Sequence, residues 1–219
     1  MKESFTPQRL IFGNARYADL VKDALKHFGN IDIDGYLVDK GFVDKRQTHT
    51  PQFTTIDSCR PGVHLYIGFT FQNKKGPMFL IEILRRMEAY GLSFVGFDFS
   101  DRPDIITKGK GTQIFQNVSF DIGSTVGHHT QIRPNVKVGH DVIIGDYSYI
   151  APSVSIGSCS VIGNNCFLGY GSTIAPGTII KEGSVIGAGV FVSGEIKHNS
   201  LVTHKKPSGA VVNNPYLFI

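Results

Sequence analysis

Val138-Gly-His-Asp-Val-Ile-Ile144-Gly-Asp-Tyr-Ser-Tyr-Ile150-Ala-Pro-Ser-Val-Ser-Ile156-Gly157 repeats a six-residue unit, in which a large aliphatic residue is followed by glycine or alanine. The register extends in both directions without a slip. It runs through Ile114, Phe120, Val126, Ile132, Val138, Ile144, Ile150, Ile156, Ile162, Leu168, Ile174, Ile180, Ile186 and Val192, and Gly or Ala comes next in nine of these fourteen hexads. Two positions before each large residue stands Ser, Thr, Val or Cys. A period of six is neither the 3.6 of a helix nor the alternation of a long strand, so it describes a short strand plus a turn. Each hexad makes one flat face with one large and one small side chain pointing inward, and the glycine after the large residue is expected to let the chain bend. Three faces close a triangular coil of about 18 residues, and stacked coils form a parallel β-solenoid with a continuous aliphatic core.

The bulk of the chain narrows its partners. Among 219 residues, 22 Lys and Arg stand against 18 Asp and Glu, scattered with no basic run, which argues against nucleic acid as a partner. Cys59, Cys159 and Cys166 show neither CxxC spacing nor an even-numbered framework and are expected to be reduced thiols. Met1 to Pro7 is too polar for a signal peptide, and no apolar run approaches a membrane span. The expectation is a soluble, cytoplasmic protein without membrane insertion.

The outward positions of the repeat are heterogeneous (His128, Arg133, His140, Asp146, Ser158, Glu182), unlike the identical rows of a purely structural solenoid. A non-catalytic β-helix scaffold is the alternative from another class. The repeat resembles that of the hexapeptide-repeat acyltransferases, and this resemblance implies a left-handed parallel β-helix.

Residues 1–97 differ in texture. Arg9 to Gly13 is a short apolar strand, and Asn14 to His27 has helical spacing through Ala18, Leu20, Val21 and Leu25. Ile31 to Val38 alternates like a strand and ends at Asp39; Val63 to Phe69 is a further strand, Met78 to Tyr90 a helix and Ser93 to Phe99 a last strand. This is the order of a small Rossmann-like α/β domain, although only Gly13 stands where a GxGxxG fingerprint would run. The expected organisation is an α/β nucleotide-sugar-binding domain over residues 1–97, a β-helix over 98–200 and a carboxyl-terminal tail over 201–219.

That order is similar to the sugar acetyltransferases of the NeuD/PglD type over nearly the whole chain. The resemblance implies an acetyl-CoA-dependent N-acetyltransferase acting on a nucleotide-linked amino sugar, with sugar O-acetylation as the alternative. It places the nucleotide-sugar against Gly13, Asn14 and Ala15, against Asp39 and Lys40, and against Phe69, Thr70 and Asn73. Asn14, Ala15 and Arg16 replace the run of glycines and histidine common in that family.

Acyl transfer needs a base for the acceptor's proton and a donor for the developing oxyanion. His140 follows a glycine corner and Asp141 follows it at once, a pair in which the carboxylate orients the imidazole. The pair leads into Ile144-Gly-Asp146, as the acetyltransferase motif does, whereas Val126-Gly-His128-His129 does not match. Ser158 lies one coil beyond His140, and the resemblance assigns its backbone N–H to the thioester carbonyl. Tyr149 stands where relatives carry a histidine that reaches CoA. Lys205 and Lys206 are candidates for the CoA phosphates, and Val212-Asn-Asn214-Pro215 resembles the family's ending near the adenine. Relatives often carry Asn where this chain has Arg133. That guanidinium is read either as a substrate contact, to an amine, carboxylate, pyrophosphate or sugar oxygen, or as a stem packed on the prism. A homotrimer binding acetyl-CoA between neighbouring prisms is expected, with no metal.

Overall fold

The computed structural model describes residues 8–13, 16–37, 53–54, 63–68 and 77–204. They divide into two compact units that part between Gly96 and Phe97.

In the first unit, β1 (Arg9–Phe12), α1 (Arg16–Gly29), β2 (Gly35–Leu37), β3 (Phe53–Thr54), β4 (His64–Ile67), α2 (Pro77–Ala89) and β5 (Ser93–Phe94) follow one another. The sheet is parallel with order β3-β2-β1-β4-β5. Its core strands are near-continuous apolar runs, with Leu10, Ile11, Leu37, Leu65 and Ile67 buried, as a two-sided parallel sheet requires. The helix α1 buries Ala18, Val21, Ala24 and Leu25 at helical spacing. It stops where Asn30 turns left-handed (φ 49°) and the Ile31 N–H reaches back to the Leu25 carbonyl. The expected strand from Ile31 shortens to Gly35–Leu37, because Asp32 pairs with Lys26 and the Asp34 carboxylate accepts the Arg9 N–H.

The strand expected over Ser93 to Phe99 is two strands. Ser93–Phe94 closes the α/β sheet, and after Val95 and Gly96 the strand Phe97–Asp98 joins the second unit by pairing with Gln113–Ile114. From there the chain is a three-faced prism of two-residue strands. One face carries Thr125–Val126, Ile143–Ile144, Val161–Ile162 and Ile179–Ile180; the second carries Gln113–Ile114, Gln131–Ile132, Tyr149–Ile150, Phe167–Leu168 and Val185–Ile186; the third carries Ser119–Phe120, Lys137–Val138, Ser155–Ile156, Thr173–Ile174 and Phe191–Val192. All neighbours are parallel, with Ile132 on Ile150 and Val138 on Ile156, one 18-residue coil apart. All fourteen ladder residues are buried and form one cluster. Beside them Ser124, Thr130 and Ser148 are buried with their hydroxyls on the Gly139, Gly145 and Gly163 carbonyls.

The glycines after the large residues do not make the bend. Gly127, Gly145 and Gly163 have no positive φ; a Cβ on Gly145 would lie 2.7 Å from the Asn164 nitrogen and from the Gly163 carbonyl carbon. They are there because successive coils approach too closely for a side chain. The bend sits two residues further on, where Gly111, Asn117, Gly123, His129, Asn135, Asp141, Tyr147, Ser153, Cys159, Asn165 and Gly171 all have positive φ. That is the pattern of a tight turn whose third residue is left-handed.

Candidate active site

The third-face corner carries Ile122, His140, Ser158 and Pro176 one above another, one coil apart, and beside them Gly123, Asp141 and Cys159. Both side chains of the pair are exposed, His140 by 51% and Asp141 by 64%, and His140 Nδ1 lies 3.0 Å from Asp141 Oδ2. A carboxylate accepts and does not donate, so Nδ1 carries the proton and the Nε2 lone pair is free to take one. The expected pairing of His140 with Asp141 is therefore present in the folded chain.

The two rival histidines are committed elsewhere. His128 Nδ1 accepts the Lys110 N–H at 2.9 Å, which puts the proton of a neutral ring on Nε2 and leaves no free lone pair. His129 is buried and stacks on Tyr147 at 5.4 Å between ring centres. At the corner of His128 successive amides are capped from the next coil: the His128 N–H donates to Asp146 Oδ1 and the Asp146 N–H to Asn164 Oδ1. At the corner of His140 no such ladder exists among the described residues, and the His140 N–H is without an acceptor as the Ser158 N–H is. Pro176 lies over Gly157 and Ser158, has no polar side chain to offer, and the Ser158 N–H finds no acceptor among the described residues. A fixed backbone donor one coil from the imidazole is the arrangement an oxyanion needs.

Cys159 was not assigned to the site from sequence, although its spacing from Asp141 is one coil. Its N–H donates to the His140 carbonyl at 2.9 Å, its side chain is exposed, and donor atoms of His140, Asp141 and Cys159 all lie within 4.8 Å of one another. These three are also the group among the described residues with ligand atoms close enough to hold a metal ion. Cys166 is buried, which pushes its thiol up to about 11. Alkylation with iodoacetamide is accordingly expected to modify Cys159 well before Cys166 and to obstruct the imidazole beside it. Peptide mass mapping together with residual activity checks this, with Cys159→Ala expected to resist inactivation.

On the second face, Arg133 is half-buried with its guanidinium 4.1 Å from the centre of the Phe115 ring one coil below. That is the packed-stem placement with cation–π contact. Tyr149 is only 6% exposed, stacks on Phe167, and burial pushes its phenol up to about 12.

In the α/β unit, Gly13 (φ 128°) and Gly68 end the adjacent strands β1 and β4, where the strand order reverses. A Cβ on Gly13 would lie 2.7 Å from the Gly68 carbonyl oxygen, and one on Gly68 2.3 Å from Ile11 Cγ2. Nucleotides bind at such a switch point in open parallel sheets. Gly68 escaped the sequence reading because it falls inside the strand expected over Val63 to Phe69, which ends at Ile67. Asn14, Ala15, Asp39, Lys40, Phe69, Thr70, Asn73, Lys205, Lys206, Asn214 and Pro215 lie outside the described residues.

Comparison with known proteins identifies the repeat and the fold. Residues 123–158 match the family described as bacterial transferase hexapeptide (six repeats), and residues 160–193 the hexapeptide repeat of succinyl-transferase. No curated protein sequence is similar enough to count as a relative. Among solved structures, PerB from Caulobacter crescentus in complex with CoA and GDP-perosamine superposes with a TM-score of 0.76 at 17% identity, over 90% of this chain and 94% of that one. The acetyltransferase domain of PglB from Neisseria gonorrhoeae FA1090 gives 0.74 at 15% over 90% and 96%, and WeeI from Acinetobacter baumannii AYE 0.62 at 16% over 86% and 96%. At such identities the likeness is one of fold, and it spans both units. The chain thus carries hexapeptide repeats over residues 123–158 and 160–193 and has the fold of these structures, an α/β unit followed by a parallel β-helix.

Proposed function

We propose that the protein is an acetyl-CoA-dependent N-acetyltransferase acting on the amino group of a nucleotide-linked amino sugar. The observation that carries this reading is the exposed His140–Asp141 pair, with its free Nε2, one coil below the uncapped Ser158 N–H. The acceptor amine attacks the thioester carbonyl while His140 Nε2 takes its proton. Asp141 holds the Nδ1–H and stabilises the imidazolium. The Ser158 N–H donates to the oxyanion, and as the carbon–sulfur bond breaks the CoA sulfur takes the proton back from the imidazolium. Support for the substrates comes from PerB, which shares this fold and was solved with CoA and GDP-perosamine. The α/β unit is assigned the nucleotide, at the strand ends Gly13 and Gly68 beside the reversal of strand order.

The test is release of free CoA thiol from acetyl-CoA with UDP-, dTDP- and GDP-linked amino sugars, followed by hydroxylamine treatment of the product. An N-acetyl product survives hydroxylamine and an O-acetyl ester does not. Thiol release with none of these acceptors would overturn the proposal, and a labile product would move the reaction to a sugar hydroxyl. The same reading includes a homotrimer, in which prisms cover apolar side chains that one chain leaves in water, among them Ile143 (50% exposed) and Phe191 (65%). Light scattering is expected to give three times the chain mass; a fully active monomer contradicts it. No described helix is long and apolar enough to cross a membrane; the proposal places the enzyme in the cytoplasm.

A further inference from the structure

The Asp141 carboxylate occupies the space that a side chain at position 123 would fill. Gly123 lies one coil below Asp141 with φ 81°, and a Cβ built on it would fall 2.3 Å from Asp141 Oδ1. The other oxygen, Oδ2, is the one that accepts the His140 Nδ1–H. The motif occurs elsewhere in the prism: a Cβ on Gly111 would meet His129 Nδ1 at 2.3 Å, and one on Gly183 would meet Asn199 Oδ1 at 2.1 Å. In each case the polar side chain of a left-handed turn residue folds down over the glycine of the previous coil. At Gly123 alone is that side chain the partner of the proposed base.

We infer that Gly123 is a positioning residue for the acetyl transfer: its missing side chain lets the Asp141 carboxylate lie where it fixes the His140 imidazole with Nδ1 protonated and Nε2 free. Ordinary contact with a Cβ begins near 3.4 Å, so an alanine there pushes Oδ1 back by about an ångström. Asp has only two side-chain torsions, so Oδ2 moves with Oδ1 and its 3.0 Å bond to Nδ1 breaks. The fold survives, because the atom that must move is the exposed end of a flexible side chain and not backbone. Backbone strain is a separate cost, and Gly171 measures it: it has φ 61° at the same turn position, with nothing within 4 Å of a built Cβ.

This inference rests on His140 as the base, and the experiment reads the two apart. In Gly123→Ala, kcat is expected to fall on the order of a hundredfold, as an ångström's misplacement does, with the KM for acetyl-CoA unchanged and Gly171→Ala close to the parent. In an Asp141→Gly background, which removes the carboxylate at a position glycine suits, Gly123→Ala is expected to cost nothing further. Nitrogen-15 NMR of the histidine ring, which needs no acceptor sugar, is expected to show the Nδ1–H form in the parent and in Gly171→Ala, and its loss in Gly123→Ala. An unchanged tautomer in Gly123→Ala, a kcat no lower than that of Gly171→Ala, or the same loss with and without Asp141 would each overturn the inference. If His140 proves not to be the base, the NMR result still decides whether Gly123 sets the ring's tautomer.

Discussion

Replacing His140 by alanine is expected to lower turnover about a hundred- to ten-thousand-fold, the usual consequence of removing a general base, and to leave acetyl-CoA affinity nearly unchanged. The reason lies in the free Nε2: with Nδ1 tied to Asp141 at 3.0 Å, that lone pair is left to take a proton, whereas at the neighbouring corner His128 spends its Nδ1 lone pair on the Lys110 N–H and His129 is buried. Asp141→Asn is expected to be less severe, since the ring remains while the stabilisation of its protonated form is lost. Steady-state kinetics paired with acetyl-CoA binding by calorimetry checks both. Activity of His140→Ala within a few-fold of the parent would assign the chemistry elsewhere.

The second large effect concerns the scaffold. Gly145→Ala is expected to destabilise the prism by about 3 kcal/mol or more, at the upper end of what overpacking a close-packed interior costs. A Cβ there meets the Gly163–Asn164 peptide of the next coil at 2.7 Å, and backbone held in a ladder on both neighbours has nowhere to go. Gly171→Ala, with open space around it, is expected to cost only about 1–2 kcal/mol for its left-handed backbone. Denaturant unfolding of the two variants beside the parent measures the difference; equal losses would mean that backbone conformation, and not coil contact, explains these glycines.

These two variants also mark what was legible in the sequence. The hexad ladder from Ile114 to Val192 announced the prism, because a buried column in a solenoid leaves a strict period in the chain. The order of strand and helix announced the α/β unit, while its strand limits were displaced by local polar bonds such as Asp34 to the Arg9 N–H. The glycines were read as bends, but their role is steric and appears only when coils are stacked. The true bends are hidden among His129, Asp141, Tyr147, Ser153 and Cys159, residues that seldom adopt positive φ and are held there by bonds between coils, as the Asp141 N–H is by the Ile122 carbonyl at 3.0 Å.

At the site, the adjacency of His140 and Asp141 could be read directly, and the 18-residue spacing pointed to Ser158. The tautomer that sets His140 apart from His128 could not, since it depends on which neighbour's amide each ring meets. The burial of Tyr149 and the stacking of Arg133 on Phe115 are properties of the folded face, not of the local pattern.

The central claim is acetyl transfer at the His140 corner, and mass spectrometry of the acceptor tests it most directly. Incubated with acetyl-CoA and the panel of nucleotide-linked amino sugars, the parent protein is predicted to convert at least one acceptor to a species one acetyl group heavier, with the acetyl on the sugar nitrogen. Under the same conditions His140→Ala is predicted to convert almost none. Failure of the parent protein to acetylate any acceptor in the panel, or equal conversion by His140→Ala, would contradict the account.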